Sequence, residues 1–371
     1  MKRVVCAMSG GVDSSVAAVL LKEQGYDVIG ISMKLSEMPE GGDAKVSGCC
    51  SVKDFNDARS VCDALGIPFY SMNFKEEFKE KVINSFVREY LLGRTPNPCV
   101  LCNQEIKFDA FLKKAQELGA DYVATGHYAR IEQTSKGRLQ LLRGKDPNKD
   151  QSYFLFSLKQ KDLSKILFPV GGLCKSEVRG LARQYNLKTK DKPESQEICF
   201  VPNDDPGAFI DHWIQNSPPP QAFDKLKAGA SPLEGEFVDR DGKVLGRHRG
   251  IHHYTIGQRR GIQVAMGTRY YVQHIDAKNN RITLAQDAAL YHDKLLAAKT
   301  TWVDEMPSEE ESIQAKIRYR THPEACRVKN LEAGKMEVSF GQSQRAISPG
   351  QAVVFYQGEE VLGGGWIEAP L

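Results

Sequence analysis

The stretch VVCAMSGGVDSS, residues 4–15, is the most informative part of the sequence. A short apolar run meets a Gly-Gly pair and then an acidic residue and two serines, which predicts a strand, a tight loop and a helix start. Glycines let backbone amides approach a ligand, and a helix N-terminus favours negative charge, so the loop is typical of a phosphate site. It is not a Walker A loop, because no Gly-Lys-Ser/Thr follows, nor a dinucleotide fingerprint, because the third glycine is absent. A capped helix start that binds nothing is the alternative.

The first two hundred residues alternate between strand and helix patterns. Buried-type strands are predicted at VVCAM, YDVIGISM, IPFYSMNF and DYVATGH, with amphipathic helices between them, the first over residues 14–24 and the second ending at Gly66. This order predicts an α/β fold, a doubly wound and mostly parallel sheet with helices on both faces. Ligands of such sheets bind at the carboxyl ends of the strands, where Ser9, Met33 and Gly126 fall.

The pattern changes after residue 200. NSPPPQAF, residues 216–223, is a proline-rich linker or loop, and short strands with Gly and Asp-Gly turns follow it. We therefore predict three domains: an α/β catalytic domain over residues 1–207, a small β-rich central module over residues 208–288, and a C-terminal β-barrel-like domain over residues 289–371.

Charge is balanced overall but unevenly distributed. The 371 residues include 50 Lys and Arg against 47 Asp and Glu, a net charge of +3. Residues 243–275 contain no acidic side chain but several Lys and Arg, and the acidic run DEMPSEEE follows at residues 304–311. Such segregation is typical of a protein that meets a polyanion on one face, and equally of a solvated loop region.

No apolar run approaches the roughly 20 residues that a membrane span requires. Hydrophobic residues make up 41% and charged residues 26% of the chain, which is typical of a globular protein. We therefore expect a cytoplasmic protein with no membrane partner, and a monomer is the default expectation for its oligomeric state.

Most of the cysteines are predicted to be structural. In a reducing compartment we expect no disulfide framework. Small buried hydrophobes are predicted at Cys6, Cys62, Cys174 and Cys326. No chemistry is assigned to Cys49 and Cys50.

GRTPNPCVLCNQEIKF, residues 93–108, contains the Cys-x-x-Cys pair Cys99 and Cys102. If Asn103 caps the helix that follows, Cys102 lies at a helix N-terminus, where the dipole favours the thiolate. The pair alone is compatible with a redox pair, half a zinc site or cluster ligands, although zinc lacks two further ligands at short spacing. Cys199, in ESQEICFVP, is by itself more typical of a core residue in a turn before a strand.

Six segments occur in order along nearly the whole chain: SGGVDSS, GRTPNPCVLCN, ATGHYAR, KDQSYFL, SQEICFV and HHYTIGQRRG. Together they closely resemble the bacterial tRNA-specific 2-thiouridylases of the ATP pyrophosphatase (PP-loop) superfamily, whose N-terminal domain is adenine nucleotide alpha hydrolase-like. The N-terminal half carries most of the resemblance. It implies an enzyme that uses ATP to install sulfur at C-2 of the wobble uridine of tRNA.

The resemblance also implies a role for each matching residue. ATP would be bound by Ala7, Met8, Ser9, Gly10, Gly11, Val12, Asp13, Ser14, Met33 and Gly126. Cys102 would be the catalytic nucleophile, and Cys199 would carry a terminal persulfide. The flipped target base would be lined by Asn97, Pro98 and Cys99. The tRNA would be contacted by His127, Lys149, Asp150, Gln151, Arg318, Tyr319 and Gln351.

The implied reaction has two stages. ATP adenylates the C-2 carbonyl oxygen with loss of pyrophosphate, and Mg²⁺ neutralises phosphate charge. The persulfide sulfur on Cys199 then attacks directly, or Cys102 releases hydrosulfide from it; AMP leaves, and a Cys102–Cys199 disulfide remains for reduction. Some members carry Asp at the position of Cys99, and that Asp is assigned a proton-transfer role. In this chain a Cys99 with a perturbed pKa or another group would transfer the proton. Alternatively, Cys99, Cys102 and Cys199 would ligate an iron–sulfur cluster. The implied partners are lysine, glutamate and glutamine tRNAs and a cysteine desulfurase or sulfur-relay protein.

Two basic segments predict RNA contact. GRHRGIHHYTIGQRRG, residues 246–261, is typical of a flexible loop that tracks phosphates or docks a sulfur donor, or of a hairpin with incidental charge. AKIRYRTHP, residues 315–323, would project Lys316, Arg318 and Arg320 from one face of a strand. Two other functions stay open on the residues alone: a PP-loop ligase that adenylates a small metabolite, and a tRNA-binding or sulfur-carrier module without turnover.

Overall fold

The computed structural model describes residues 1–35, 51–194, 198–216, 234–264 and 267–371. Cys49, Cys50 and most of the predicted proline-rich linker lie outside these ranges. Within them, no helix combines the length and the apolar character needed to cross a bilayer.

The strands of the described residues are, in chain order, β1 Arg3–Ala7, β2 Asp27–Lys34, β3 Phe69–Asn73, β4 Tyr122–Ala124, β5 Ala129–Gln133, β6 Leu139–Arg143, β7 Ile166–Leu167, β8 Gly235–Val238, β9 Val244–His248, β10 Tyr271–Asp276, β11 Arg281–Ala285, β12 Tyr291–Trp302, β13 Ile313–Lys316, β14 Glu324–Asn330, β15 Lys335–Arg345, β16 Ala352–Gln357 and β17 Glu360–Pro370. The α-helices are α1 Val12–Glu23, α2 Val52–Leu65, α3 Lys75–Phe78, α4 Asn84–Leu91, α5 Pro98–Leu101, α6 Phe111–Glu117, α7 Gln160–Leu163, α8 Lys175–Gln184 and α9 Pro206–Asn216. Two π-helical segments, Lys79–Ile83 and Cys102–Ala110, join α3 to α4 and α5 to α6.

The N-terminal part is a five-stranded parallel sheet in the order β3-β2-β1-β4-β7. The central strand β1 is apolar because both of its faces are covered. Val4 and Cys6 pack in a cluster with α1, α2 and α8, while Val5 and Ala7 pack in a second cluster with α4 and α6. The predicted doubly wound parallel sheet with helices on both faces is confirmed.

The helices next to the first strands begin and end for local reasons. Helix α1 begins at Val12, two residues before its predicted start, with Gly11 as the N-cap residue. Helix α2 is capped by the Ser51 hydroxyl, which accepts a hydrogen bond from the amide of Asp54. It ends at Gly66 as predicted, because Gly66 adopts a left-handed conformation with φ of 62°.

Cys99 and Cys102 lie on one continuous helical stretch. Asn97 caps it, because its Oδ1 accepts a hydrogen bond from the amide of Val100 at 3.3 Å, and Pro98 occupies the first turn. The prediction that Asn103 caps a helix beginning after Cys102 is therefore wrong. Cys102 follows the first helical turn, at the start of the π-helical segment, and Asn103 is buried.

The central module is a four-stranded sheet in the order β10-β11-β8-β9. Two antiparallel hairpins, β8–β9 and β10–β11, are joined by a parallel pairing between β8 and β11. The first hairpin turn contains the predicted Asp-Gly pair, Asp241 and Gly242, and Asp239 accepts hydrogen bonds from the amides of Asp241 and Lys243.

The C-terminal part closes into a barrel. Strands β12, β15, β14, β13, β16 and β17 follow one another, and β12 pairs with β17 to close the ring. Strands β5 and β6 extend the same sheet, so a hairpin from the N-terminal part of the chain is built into the C-terminal sheet. Arg138 on the loop before β6 pairs with Glu360 of β17 at 2.7 Å.

Two local predictions are wrong. Strand β13 ends at Lys316, so Arg318 and Arg320 lie in the turn that follows instead of on one strand face. Cys199 lies in a turn as predicted, but the 3-10 helix Pro202–Asp204 follows it in place of a strand. Proline has no amide for a ladder and fits the first helical turn, which favours the helix.

Candidate active site

A cavity of about 1750 Å³ lies at the carboxyl ends of β1, β2 and β4. Its lining includes every residue to which the family resemblance assigned a role, except Gly10 and Asn97. Asn97 is the N-cap of α5, and Gly10 belongs to the Gly-Gly loop, residues 9–14, which contributes its other members to the lining. The fold thus brings predicted nucleotide, cysteine and tRNA residues to one place.

Two close approaches hold the Gly-Gly loop. Gly10 has φ of 70°, and a Cβ there would lie 2.2 Å from the carbonyl oxygen of Asp54 on α2. Gly126, just after β4, approaches the loop from the other side, because its Cβ would lie 2.7 Å from the amide nitrogen of Ser14. Neither position accepts a side chain without a shift of backbone.

The serines of the motif shape the loop from within. The amide of Ser9 donates to Ser14 Oγ at 3.2 Å, and the hydroxyl of Ser15 donates to the carbonyl of Gly11 at 2.8 Å. Thr189 in turn donates to Ser15 Oγ at 3.0 Å. The start of α1 therefore lines the cavity in a fixed conformation, with its helix dipole directed favourably for an anion.

Lys175, which the sequence analysis missed, joins the loop to a charge network. Its Nζ lies 2.7 Å and 2.8 Å from the carboxylate oxygens of Asp13 and 2.8 Å from Glu194. Lys149 lies 2.6 Å from the other oxygen of Glu194, and the Tyr128 hydroxyl donates to Asp13 at 2.7 Å. Burial raises the pKa of Glu194, but the two lysines outweigh it and hold that pKa below its ordinary value.

Lys192, which the sequence analysis also missed, connects the Gly-Gly loop to α2. Its Nζ donates to the carbonyl of Gly10 at 2.8 Å and lies 2.5 Å from Asp54 and 2.8 Å from Asp57. Burial raises the pKa of Asp57, but Lys192 and Lys188 outweigh this effect and lower it. Neither Lys175 nor Lys192 stands in a recognisable motif near the loop in sequence, so only the fold identifies them.

The cysteines differ in their surroundings. Cys102 and Cys199 line the cavity and pack in the same apolar cluster, which includes Phe200. Cys102 is buried, Cys199 is half-buried and Cys99 is exposed.

The remaining described cysteines lie outside the lining of the cavity. Burial raises the pKa of Cys62 and of Cys326 to about 12, and it also raises that of Cys6, so these three are inert core thiols as predicted. Cys174 is only half-buried, at the N-cap of α8, and the prediction that it is buried is wrong.

The predicted tRNA residues 149–151 are largely engaged within the protein. Asp150 is buried and accepts hydrogen bonds from the amides of Gly144 and Ser152 at 3.1 Å and 3.0 Å. The Gln151 side chain accepts from the amide of Tyr128 at 3.0 Å. Together with the Lys149–Glu194 pair, these bonds hold the segment against the end of β4.

His127 is a neutral group in the cavity wall. Its Nδ1 lies 2.7 Å from the Thr125 hydroxyl, and its ring contacts Phe108 and Phe168. Burial, and to a smaller extent Lys107, lowers its pKa well below the ordinary value. An uncharged imidazole is suited to hydrogen bonding with a base or sugar and not to pairing with a phosphate.

The barrel contributes the opposite wall. Arg318 Nη2 donates to the carbonyl of Ala346 at 2.6 Å and to Ser348 Oγ at 2.8 Å, so the guanidinium also fastens the loop before β16. The Tyr319 ring lies 4.6 Å from that of Phe154, and Lys316 Nζ lies 5.7 Å from the Tyr319 ring centre. These are aromatic and cationic surfaces on which an unpaired base can stack.

Gln351 ties the barrel to the cysteine segment. Its Nε2 donates to the carbonyl of Thr95 at 2.8 Å and to that of Pro96 at 3.3 Å. The loop before the Asn97 cap therefore takes its position from the C-terminal barrel.

The basic segment 246–261 is less exposed than predicted. His248 and His252 are each only 2% exposed, while Arg259 and Arg260 are exposed. The imidazoles of His248 and His252 are therefore turned away from solvent, and the arginines form the basic surface of the segment.

Comparison with known proteins places this site in a family. Three family models match consecutive parts of the chain: a tRNA methyl transferase HUP domain at residues 2–203, a tRNA methyl transferase PRC-barrel domain at residues 224–286 and an aminomethyltransferase beta-barrel domain at residues 292–367. A tRNA-specific 2-thiouridylase of Geotalea uraniireducens is 52% identical to the chain and covers 99% of it and 95% of its own length. This chain belongs to the tRNA-specific 2-thiouridylase family.

A 2-thiouridylase of Geobacter metallireducens is 50% identical and covers 100% of this chain and 98% of its own. The predicted family resemblance is thus confirmed. The HUP, PRC-barrel and beta-barrel descriptions occur in the same order as the three sheets, which confirms the predicted fold class. A solved structure described as a 4-thiouridine synthetase–RNA complex with bound ATP is 18% identical over 54% of this chain and 45% of its own, with a TM-score of 0.33.

Proposed function

We propose that this protein catalyses ATP-dependent 2-thiolation of the wobble uridine of tRNA. The observation that carries the proposal is a single cavity that contains the Gly-Gly loop, Cys102, Cys199 and a basic aromatic wall from the barrel. Membership of the 2-thiouridylase family supports the same reaction.

The first stage activates the uridine. Its C-2 oxygen attacks the α-phosphorus of ATP, and the bond to the pyrophosphate group breaks. The Gly-Gly loop and Lys175 hold the phosphates by their amides and positive charge. The cavity-lining carboxylate of Asp13, which Lys175 and Tyr128 also contact, offers the oxygen ligands that Mg²⁺ prefers, and a bound ion would neutralise phosphate charge.

The second stage transfers sulfur. The terminal sulfur of a persulfide on Cys199 attacks C-2 of the uridine and AMP leaves, which gives a C-2–S–S–Cys199 linkage. The Cys102 thiolate then attacks Cys199 Sγ and releases 2-thiouridine. The Cys102–Cys199 disulfide that forms is reduced by an external dithiol, so electrons balance over the cycle.

The chain has Cys99 where some family members have Asp, and we assign the proton transfer at this stage to Cys99 or to a bound water. The sulfur donor is a cysteine desulfurase or relay protein that loads Cys199. Lysine, glutamate and glutamine tRNAs are the expected substrates. A monomer in the cytoplasm stays a prediction from the sequence.

Single-turnover sulfur transfer with radiolabelled ATP tests the proposal. Enzyme purified without oxygen is loaded with persulfide and mixed with unmodified tRNA. AMP, pyrophosphate and 2-thiouridine should form together in the wild type. The matched control is Cys174→Ser, because Cys174 is a half-buried thiol outside the lining of the cavity.

The expected result is that Cys199→Ser abolishes thiolation while Cys174→Ser leaves it unchanged. If thiolation survives Cys199→Ser and the protein contains iron, the result would indicate that the transferred sulfur is carried by a cluster held by Cys99, Cys102 and Cys199 and not by a persulfide. Formation of AMP without tRNA would favour a ligase for a small metabolite, and failure to bind ATP would favour a module without turnover.

A further inference from the structure

Outside the cavity, α9 brings a carboxylate against two histidines of the central module. His252 Nε2 lies 2.7 Å from one oxygen of Asp211, and His253 Nε2 lies 3.1 Å from the other. The donor atoms of the three residues all lie within 4.8 Å of one another. The His252 and His253 side chains are 1% and 5% exposed, and that of Asp211 is 33% exposed.

The surroundings hold this cluster in place before any ligand binds. The two imidazole rings lie 4.4 Å apart on the 3-10 turn Ile251–His253. Gly207 lies one helical turn before Asp211 on the same face of α9. A Cβ at Gly207 would lie 2.0 Å from His253 Nδ1, so the helix packs directly against the ring and fixes its orientation.

The chemistry of the three donor atoms indicates which class of metal ion would bind. Two imidazole nitrogens and one carboxylate oxygen are the donors of zinc and related transition-metal sites, whereas Mg²⁺ and Ca²⁺ prefer oxygen donors alone. The exposed edge of Asp211 leaves one side of the cluster open to water, which suits a fourth ligand.

We propose that Asp211, His252 and His253 bind one divalent transition-metal ion of the Zn²⁺ type. The ion would join α9, whose Ile210 packs in the core of the N-terminal sheet, to the 3-10 turn Ile251–His253 of the central module and stabilise their contact. None of the three residues lines the active-site cavity, so the proposal does not depend on the proposed function.

Titration of the full-length, chelator-treated protein with Co²⁺ tests the site. We expect one equivalent to give the visible d–d bands of nitrogen and oxygen ligands, and Zn²⁺ to displace it. Asp211→Asn and His252→Gln should each weaken binding at least tenfold. His212→Gln is the matched control, because His212 is the exposed neighbour of Asp211 on the same helix and should leave binding unchanged.

The cavity cysteines are the main competing ligands, and the spectrum separates them. A thiolate-to-cobalt charge-transfer band, with no further equivalent bound, would place the metal on sulfur and overturn the proposal. Equal Co²⁺ affinity in the wild type and Asp211→Asn would overturn it as well.

A measurement on the wild type alone keeps the proposal testable if the variants do not fold. X-ray absorption of the protein loaded with one equivalent of Zn²⁺ should show a first shell of nitrogen and oxygen that includes imidazole. Zn²⁺ should also raise the melting temperature, and a chelator should reverse the increase. Sulfur in the first shell, or no effect of Zn²⁺ on melting, would refute the site.

Discussion

Replacing Gly10 by alanine should open the Gly-Gly loop, whereas the same change at Gly11 should not. A left-handed φ costs a residue with a side chain about 1–2 kcal/mol. The added Cβ would lie 2.2 Å from the Asp54 carbonyl oxygen, so α2 must move by about 1 Å to restore an ordinary contact. Overpacking of this kind costs about 1–3 kcal/mol, which brings the total to about 2–5 kcal/mol.

Gly11 is the matched control for this prediction. Its φ is −92°, and a Cβ there meets only Ser9 Oγ at 3.4 Å. The change at Gly11 should therefore alter local stability by less than about 1 kcal/mol.

Hydrogen exchange read by mass spectrometry is the suitable assay, because it reports opening of individual segments in a protein with several domains. Peptides from α1 and from the first turn of α2 should exchange faster in Gly10→Ala, by about tenfold for each 1.4 kcal/mol of local stability lost. Peptides from the barrel should not change. Equal exchange in Gly10→Ala and Gly11→Ala would show that the approach to Asp54 is not what requires glycine at position 10.

Three further predictions test the supporting contacts. Lys192→Met removes one partner of Asp57, which keeps Lys188 at 3.3 Å. The free energy of unfolding should therefore fall by about 3 kcal/mol, the lower end of the range for breaking a buried pair. Because folding lowers the pKa of Asp57, its ionised carboxylate contributes fully to the free energy of unfolding above the unfolded pKa. That contribution is lost as the pH falls through the folded pKa. The free energy of unfolding measured between pH 7 and pH 3 should therefore decrease less in Lys192→Met than in the wild type. Asn97→Ala should lose about 1 kcal/mol of local stability at α5 and slow thiolation, and Asn97→Ser, which keeps a cap, should restore both in exchange and turnover assays. Arg320→Met should reduce the slope of log tRNA affinity against log salt concentration by about 1, with no change in melting temperature. Arg318→Met should lower the melting temperature, because Arg318 donates hydrogen bonds to Ala346 and Ser348. The reverse pattern would contradict these assignments.

The elements of the N-terminal sheet were predictable because their signals are local. An apolar strand such as Arg3–Ala7 has both faces buried, and a glycine such as Gly66 ends a helix whatever surrounds it. The same holds for the hairpin turn at Asp239 in the central module. Where two local signals competed, the prediction failed: Asn97 with Pro98 caps the cysteine helix, and Asn103 does not.

The Gly-Gly loop and the cysteines of the site were also recognisable, because their spacing in the chain carries the motif. Lys175 and Lys192 were not, since a long side chain reaches the loop from a distant helix or turn and leaves no periodic pattern. The extension of the C-terminal sheet by β5 and β6 was not predictable for a related reason, because the pairing of Leu142 with Glu360 joins residues far apart in the chain.

Local residue order thus accounts for the strands, the caps and the Gly-Gly motif, because backbone preference and burial pattern act within a few residues. Contacts between distant segments account for the rest: the one cavity, the lysines that balance Asp13 and Asp57, and the meeting of Asp211 with His252 and His253. Charge pairing and close packing depend on distance in space, and that distance is set only when the two open sheets and the barrel have formed and packed together.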